Sequence, residues 1–201
     1  MKPADWFDAR YFGHVEGASH KSNYSRVGGY PIGGWGDVKA KAEWVRRALR
    51  DDVLREDIPQ HRVLEVGCAS GATVRALRDL GIDAYGIDVS EYVLGLAPAE
   101  VKPFLACGDM TALLDNPSVL IWAPFSAVYS SDVLEHATED RIEDILLAMA
   151  QLAPQQIHQV NTGEFPYQAA DGDQSHFLVR PLVWWDNLAA RLGVTAVFKR
   201  T

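Results

Sequence analysis

Val63-Leu64-Glu65-Val66-Gly67-Cys68-Ala69-Ser70-Gly71, followed by Gly86-Ile87-Asp88-Val89-Ser90, decides the fold. An apolar run ends in an acid, a glycine-spaced turn follows, and the next segment reads as a helix. A second apolar run then ends in another acid. In a doubly wound sheet these runs are the first two strands, and both acids fall at the carboxyl edge, where ligands bind. Glycine lets the backbone approach a ligand and take conformations a Cβ forbids. Asp88 falls 21 positions after Gly67, close to the roughly 20-residue spacing that places an acid on a ribose hydroxyl. The pattern therefore predicts a nucleoside-containing cofactor.

The dinucleotide fingerprint G-x-G-x-x-G needs three glycines to open a pyrophosphate site. Counted from Gly67, its second and third positions hold Ala69 and Ala72, which weighs against a nicotinamide-dependent oxidoreductase. An acid two residues before the first glycine is foreign to that fingerprint. It is part of the first motif of class I S-adenosylmethionine-dependent methyltransferases, which the chain resembles over residues 60–190. Glu65 to Gly71 matches that motif except at Ala69, where the family has glycine.

The resemblance implies roles for individual residues. Gly67, Cys68 and Gly71 would line the methionine part of the cofactor with backbone, and Glu65 would orient its ammonium group. Asp88, with Val89 beside it, would take the ribose hydroxyls. In Cys107-Gly108-Asp109-Met110, Asp109 would meet the adenine amino group and Met110 would pack near the ring. Gly-Asp is also a turn pair, so Asp109 has a structural reading as a cap. Ser130-Ser131-Asp132-Val133-Leu134-Glu135-His136 resembles the family's fourth motif. There His136 is a candidate base, with Asp132 or Glu135 shaping the site, or else it hydrogen-bonds to backbone. Asp173-Gln174-Ser175-His176, then Trp184-Trp185, resembles a small-molecule methyltransferase subgroup. His176 would be general base or substrate anchor with Asp173 fixing its tautomer, or the segment is a loop clasp, and the tryptophans are read as core. Tyr24-Ser25-Arg26-Val27-Gly28-Gly29-Tyr30 looks like a lid whose Tyr24 and Tyr30 could face a sulfonium, or an arm packed for stability or dimerisation.

Composition narrows the partners. A net charge of −8 argues against nucleic acid, whose binders carry a basic face. The longest apolar candidate, Val119 to Tyr129, is interrupted by Pro124, too short to span a membrane. The first ten residues do not read as a secretory start, so a cytoplasmic chain is expected. Cys68 and Cys107, the two cysteines, would end the first and third strands, about 9.5 Å apart. A disulfide needs Cα atoms within about 7 Å. Free thiols and no metal site are expected.

Along the chain, residues 1–36 form a glycine- and aromatic-rich arm or lid, and 37–201 the cofactor-binding domain. Strands are predicted at 62–66, 83–88, 103–107, 125–130 and 156–160. Helices are predicted from Asp37 to about Glu56, at 71–80, 90–98, 138–152 with Thr138 as cap, and 181–192. The alternation gives an α/β, doubly wound, mostly parallel sheet with an N-terminal cap. The family closes its sheet with two strands after the last helix, whereas here Val194 to Lys199 leaves room for one. The expected function is methyl transfer from S-adenosylmethionine, with S-adenosylhomocysteine as product, to an oxygen or nitrogen of a small-molecule acceptor. A catalytically silent cofactor-binding module is the alternative, and a homodimer is possible for either.

Overall fold

The computed structural model describes residues 1–12, 38–49, 61–163 and 175–200. Six strands form one sheet: β1 (Arg62–Val66), β2 (Asp83–Asp88), β3 (Leu105–Cys107), β4 (Ala127–Ser131), β5 (Gln156–Val160) and β6 (Ala196–Arg200). Their order is β3-β2-β1-β4-β5-β6, and every pair is parallel. Parallel neighbours need crossovers, and six α-helices are described: α1 (Val38–Ala48), α2 (Ala72–Asp79), α3 (Glu91–Gly95), α4 (Pro117–Trp122), α5 (Ile142–Leu152) and α6 (Leu182–Leu192). Among the described residues no helix is long and apolar enough to cross a membrane.

Alternation along the strands sorts side chains to two cores. Val63, Ala84, Ala127, Tyr129 and Ile157 pack against Ala42 and Val45 of α1 and Val74 and Leu77 of α2. Leu64, Val66, Ile87 and Val128 face the other way, onto Ile142, Ile145, Leu146 and Met149 of α5 and Trp185 and Leu188 of α6. The apolar stripe of α5, formed by Ile142, Ile145, Leu146, Met149 and Leu152, is thus the face that is buried. Its start differs: Arg141 precedes the first turn, and no side chain caps it. Thr138 therefore lies in the preceding turn and is not the cap.

β6, the one strand expected after the last helix, pairs directly and in parallel with β5, Gln156 opposite Ala196 through Val160 opposite Arg200. Cys68 is buried, Cys107 is exposed, and both are free thiols. The arm segment 13–37, with Tyr24 and Tyr30, lies outside the described residues, as does Asp173.

Candidate active site

The strand order reverses between β1 and β4, and loops leaving their carboxyl ends in opposite directions open a crevice. That crevice encloses about 710 Å³ including its open mouth, and its walls include Gly67, Asp88, Val89, Asp109, Met110, Asp132 and His136. Seven residues read from the sequence therefore meet at one place. Glu65, Cys68, Gly71 and His176 stand behind its walls.

The β1–α2 loop is tied to β2. Gly67 N and Cys68 N both donate to the Ile87 carbonyl, at 2.8 and 2.9 Å. Gly67 has φ +73°, and a Cβ there would lie 2.2 Å from Val133 Cγ2, so this glycine is required by packing as well as by backbone conformation. Cys68 turns into the core, and a Cβ on Gly86 would lie 2.6 Å from its own Cβ. The Cβ direction of Gly71 is filled by Leu105 and Val101, each 2.8 Å away. The packing behind Cys68 and Gly71 holds the loop's shape.

Ala69 keeps the left-handed backbone of a glycine, with φ +49°. Asp88 holds it there, Oδ2 accepting from Ala69 N at 2.8 Å while Oδ1 accepts from Ser90 N at 2.8 Å. Burial pushes the Asp88 carboxyl up to about 6, and the two N–H bonds oppose that rise. Glu65 lies on the α1/α2 face of β1, buried, and its Oε2 has no hydrogen-bond partner among the described residues. Burial pushes it up to about 8, with the Lys41 ammonium pulling the other way. A buried carboxyl oxygen lacking a donor is the kind of group a ligand ammonium satisfies. Asp109 is both cap and wall: its Oδ1 accepts from Thr111 N and Thr111 Oγ1, each at 2.8 Å.

At the end of β4, Asp132 is held at φ +57°, with its N–H bonded to the Gln159 carbonyl at 2.9 Å. A non-glycine in this region costs of order 1–3 kcal/mol and persists where its surroundings over-determine it. Ser131 Oγ donates to Asp132 Oδ2 at 3.0 Å and accepts from Lys41 Nζ at 2.9 Å. His136 Nδ1 lies 3.0 Å from the Ser175 carbonyl. His176 packs edge-on against His136, centroids 4.8 Å apart, and its Nδ1 lies 3.4 Å from Asn161 Nδ2. His136 thus stands in the crevice wall, and His176 packs against it. Trp185 is wholly buried, its Nε1 donating to the Arg180 carbonyl at 3.3 Å, so it is core as expected.

Residues 63–155 match the family model of the methyltransferase domain. That stretch, just under half of the chain, is similar to a methyltransferase domain. The chain is 25% identical over 101 residues to the magnesium-protoporphyrin O-methyltransferase of Synechocystis, covering 50% of this chain and 44% of that enzyme. The chain thus spans less than half the length of that curated relative. Among solved structures, it is similar to an S-adenosylmethionine-dependent methyltransferase from Archaeoglobus fulgidus, at TM-score 0.56 and 16% identity over 79% of this chain and 69% of that one. A second, from Clostridium acetobutylicum, gives TM-score 0.53 and 17% identity over 67% and 55%. At these identities the structures establish the fold.

The crevice also has a roof, supplied by the first residues of the arm. Phe7, Tyr11 and Phe12 line the crevice from above. The Ser90 hydroxyl donates to the Phe7 carbonyl, Phe7 meets Tyr11 edge-on at 4.9 Å, and Phe12 stacks on Tyr92 at 6.3 Å. The cluster of Trp6, Phe7, Tyr11 and Phe12 was the available signal, overshadowed by the glycines that drew attention to residues 24–30. Lys41 was read as one more position on a helix face and carried no signal of its own.

Proposed function

We propose that this chain transfers a methyl group from S-adenosylmethionine to an oxygen or nitrogen of a small metabolite. The observation that carries the reading is the row of acids at four adjacent strand ends: Glu65 on β1, Asp88 on β2, and Asp109 and Asp132 just after β3 and β4. In this reading Asp88 takes the ribose hydroxyls, Asp109 with Met110 the adenine, and Glu65 the methionine ammonium. The bound cofactor supplies a sulfonium methyl whose carbon–sulfur electron pair leaves with sulfur as a neutral thioether.

The chain's own work is positioning and proton handling. His136 Nδ1 faces a carbonyl, so the neutral ring carries its hydrogen there and presents Nε2 as the basic nitrogen. Nε2 takes the proton that an acceptor hydroxyl or ammonium must lose. Phe7, Tyr11 and Phe12 exclude water above the transfer. The O-methyltransferase relative favours oxygen as the receiving atom.

The test is calorimetric binding of S-adenosylhomocysteine, then incubation with deuteriomethyl cofactor and a metabolite panel read by mass spectrometry. Binding followed by a labelled product is the expected result. Absence of binding would overturn the reading, and binding without any labelled product would leave a silent module in its place.

A further inference from the structure

Strand register aligns Ser131 of β4, Gln159 of β5 and Lys199 of β6 in one row at the carboxyl edge. Two residues earlier, Tyr129 sits opposite Glu65 of β1 on the same face of the sheet. Helix α1 crosses this face and brings a second lysine to it. Lys41 Nζ is 2.9 Å from Ser131 Oγ and 3.8 Å from Asp132 Oδ2, with its side chain 17% exposed. One turn along α1, the Trp44 ring holds Lys199 Nζ 4.2 Å from its centroid and meets Tyr129 edge-on at 6.2 Å.

Three proton donors thus converge beside the crevice wall formed by Ser131 and Asp132. Two are ammonium groups close enough that Lys41, together with burial, depresses Lys199. The third is the Tyr129 hydroxyl, wholly buried beside Ser131. Burial and the nearby Glu65 raise the phenol, so it keeps its proton and remains a donor. Two ammonium groups held this close make a positive corner that an incoming anion relieves. Asp132 offsets part of that charge, 3.8 Å from Lys41 and raising Lys199.

We propose that Lys41, Lys199 and Tyr129 form a carboxylate-binding subsite at the β4 end of the crevice, which rests on the methyl-transfer reading above. Two sources supply that chemistry: the methionine carboxylate of the cofactor, or a carboxylate on the acceptor. Lysine suits the task because its ammonium is a compact charge on a flexible stem, able to turn from Ser131 toward an incoming anion.

Two titration arms separate the sources. In the first, S-adenosylhomocysteine and 5′-methylthioadenosine, which lacks the amino-acid end, are titrated into the wild type and the variants Lys41→Met, Lys199→Met and Tyr129→Phe. If the cofactor carboxylate is held here, Lys41→Met weakens S-adenosylhomocysteine about tenfold or more and leaves 5′-methylthioadenosine unchanged. In the second, benzoate and benzyl alcohol are added to protein loaded with S-adenosylhomocysteine. If the acceptor carboxylate is held here, benzoate raises the melting temperature more than benzyl alcohol does, and the lysine variants lose that difference. Lys41→Arg, which keeps the charge, should retain most of either effect and controls for misfolding. Variants matching the wild type in both arms would overturn the subsite alone. A wild-type chain binding neither nucleoside would overturn the methyl-transfer reading beneath it.

Discussion

His136 Nδ1 and the Ser175 carbonyl oxygen lie 3.0 Å apart, joining the end of β4 to the segment before α6. A carbonyl can only accept, so the hydrogen of the neutral ring resides on Nδ1. The ring is braced by Phe7 at 5.7 Å and His176 at 4.8 Å. If His136 is the base, His136→Ala should lower turnover on an accepted substrate by about a hundredfold or more, with S-adenosylhomocysteine affinity within about twofold. His176→Ala should cost less, because that ring acts only through His136. Single-turnover kinetics on both variants decide the order, and a larger loss at His176 would move the base there.

Asp88 has a double duty, holding the Ala69 and Ser90 N–H groups and facing the crevice. Asp88→Asn keeps the shape but turns one N–H acceptor into a donor. It should weaken S-adenosylhomocysteine by about tenfold or more while lowering stability by about 1–3 kcal/mol. Calorimetry beside urea denaturation separates the two. Unchanged affinity would remove Asp88 from the ribose site.

Glu65 makes stability depend on pH in a direction opposite to most carboxylates. Burial, opposed by Lys41, raises it from 4.5 to about 8, so the fold retains a proton that the unfolded chain releases. Its stabilising contribution is complete below about pH 4.5 and is lost as pH rises toward about 8, at up to about 1.4 kcal/mol per pH unit. Glu65→Gln abolishes that slope. The stability gap between variant and wild type should therefore widen from about pH 5 to about pH 8 in urea titrations, and a constant gap would mean an ordinary carboxyl.

The aromatic roof packs over the crevice through ring contacts and the bond from Ser90 to Phe7, and peripheral segments of this kind open locally at small free-energy cost. Amide exchange across Trp6 to Phe12 should slow when S-adenosylhomocysteine binds. Equal exchange with and without it would make these residues permanent structure.

Where burial on both faces dictates the sequence, the chain was easy to read. Residues 62–66 and 83–88 coincide with β1 and β2, because each holds a largely apolar run bounded by turn residues, and 156–160 coincides with β5 although three of its five side chains are polar. The third strand is shorter than predicted, since Lys102–Phe104 around Pro103 forms a turn of 3₁₀ helix. The pairing of β6 with β5 is a long-range register choice with no local signal. His176 was read as a loop residue facing the acceptor. Its backbone neighbours Phe177 and Leu178 instead donate to the Glu135 carbonyl at 2.8 and 2.9 Å, a clasp between segments about 40 positions apart in the chain that spacing alone cannot reveal. The motif around Glu65 and Asp88 was legible in residue type, while the direction of the Glu65 side chain followed from strand alternation.

His158 carries the last prediction. It is wholly buried in β5, with Nδ1 2.8 Å from Ser130 Oγ and Nε2 3.0 Å from Gln156 Oε1. The amide oxygen only accepts, so the hydrogen sits on Nε2, while Nδ1 accepts from the Ser130 hydroxyl. Burial lowers this imidazole from 6.5 to about 3, so the fold keeps it neutral where the unfolded chain takes a proton. Its contribution is complete above about pH 6.5 and is lost as pH falls toward about 3, at up to about 1.4 kcal/mol per pH unit. His158→Leu removes the titration but strands the Ser130 hydroxyl and Gln156 oxygen, at about 1–3 kcal/mol each. The variant should therefore be the less stable chain at about pH 7, and its deficit should shrink by about 1–2 kcal/mol at about pH 5. Glu65 and Asp88 titrate alike in both chains, so the difference isolates His158, and a deficit unchanged by pH would show that the ring is protonated inside the fold.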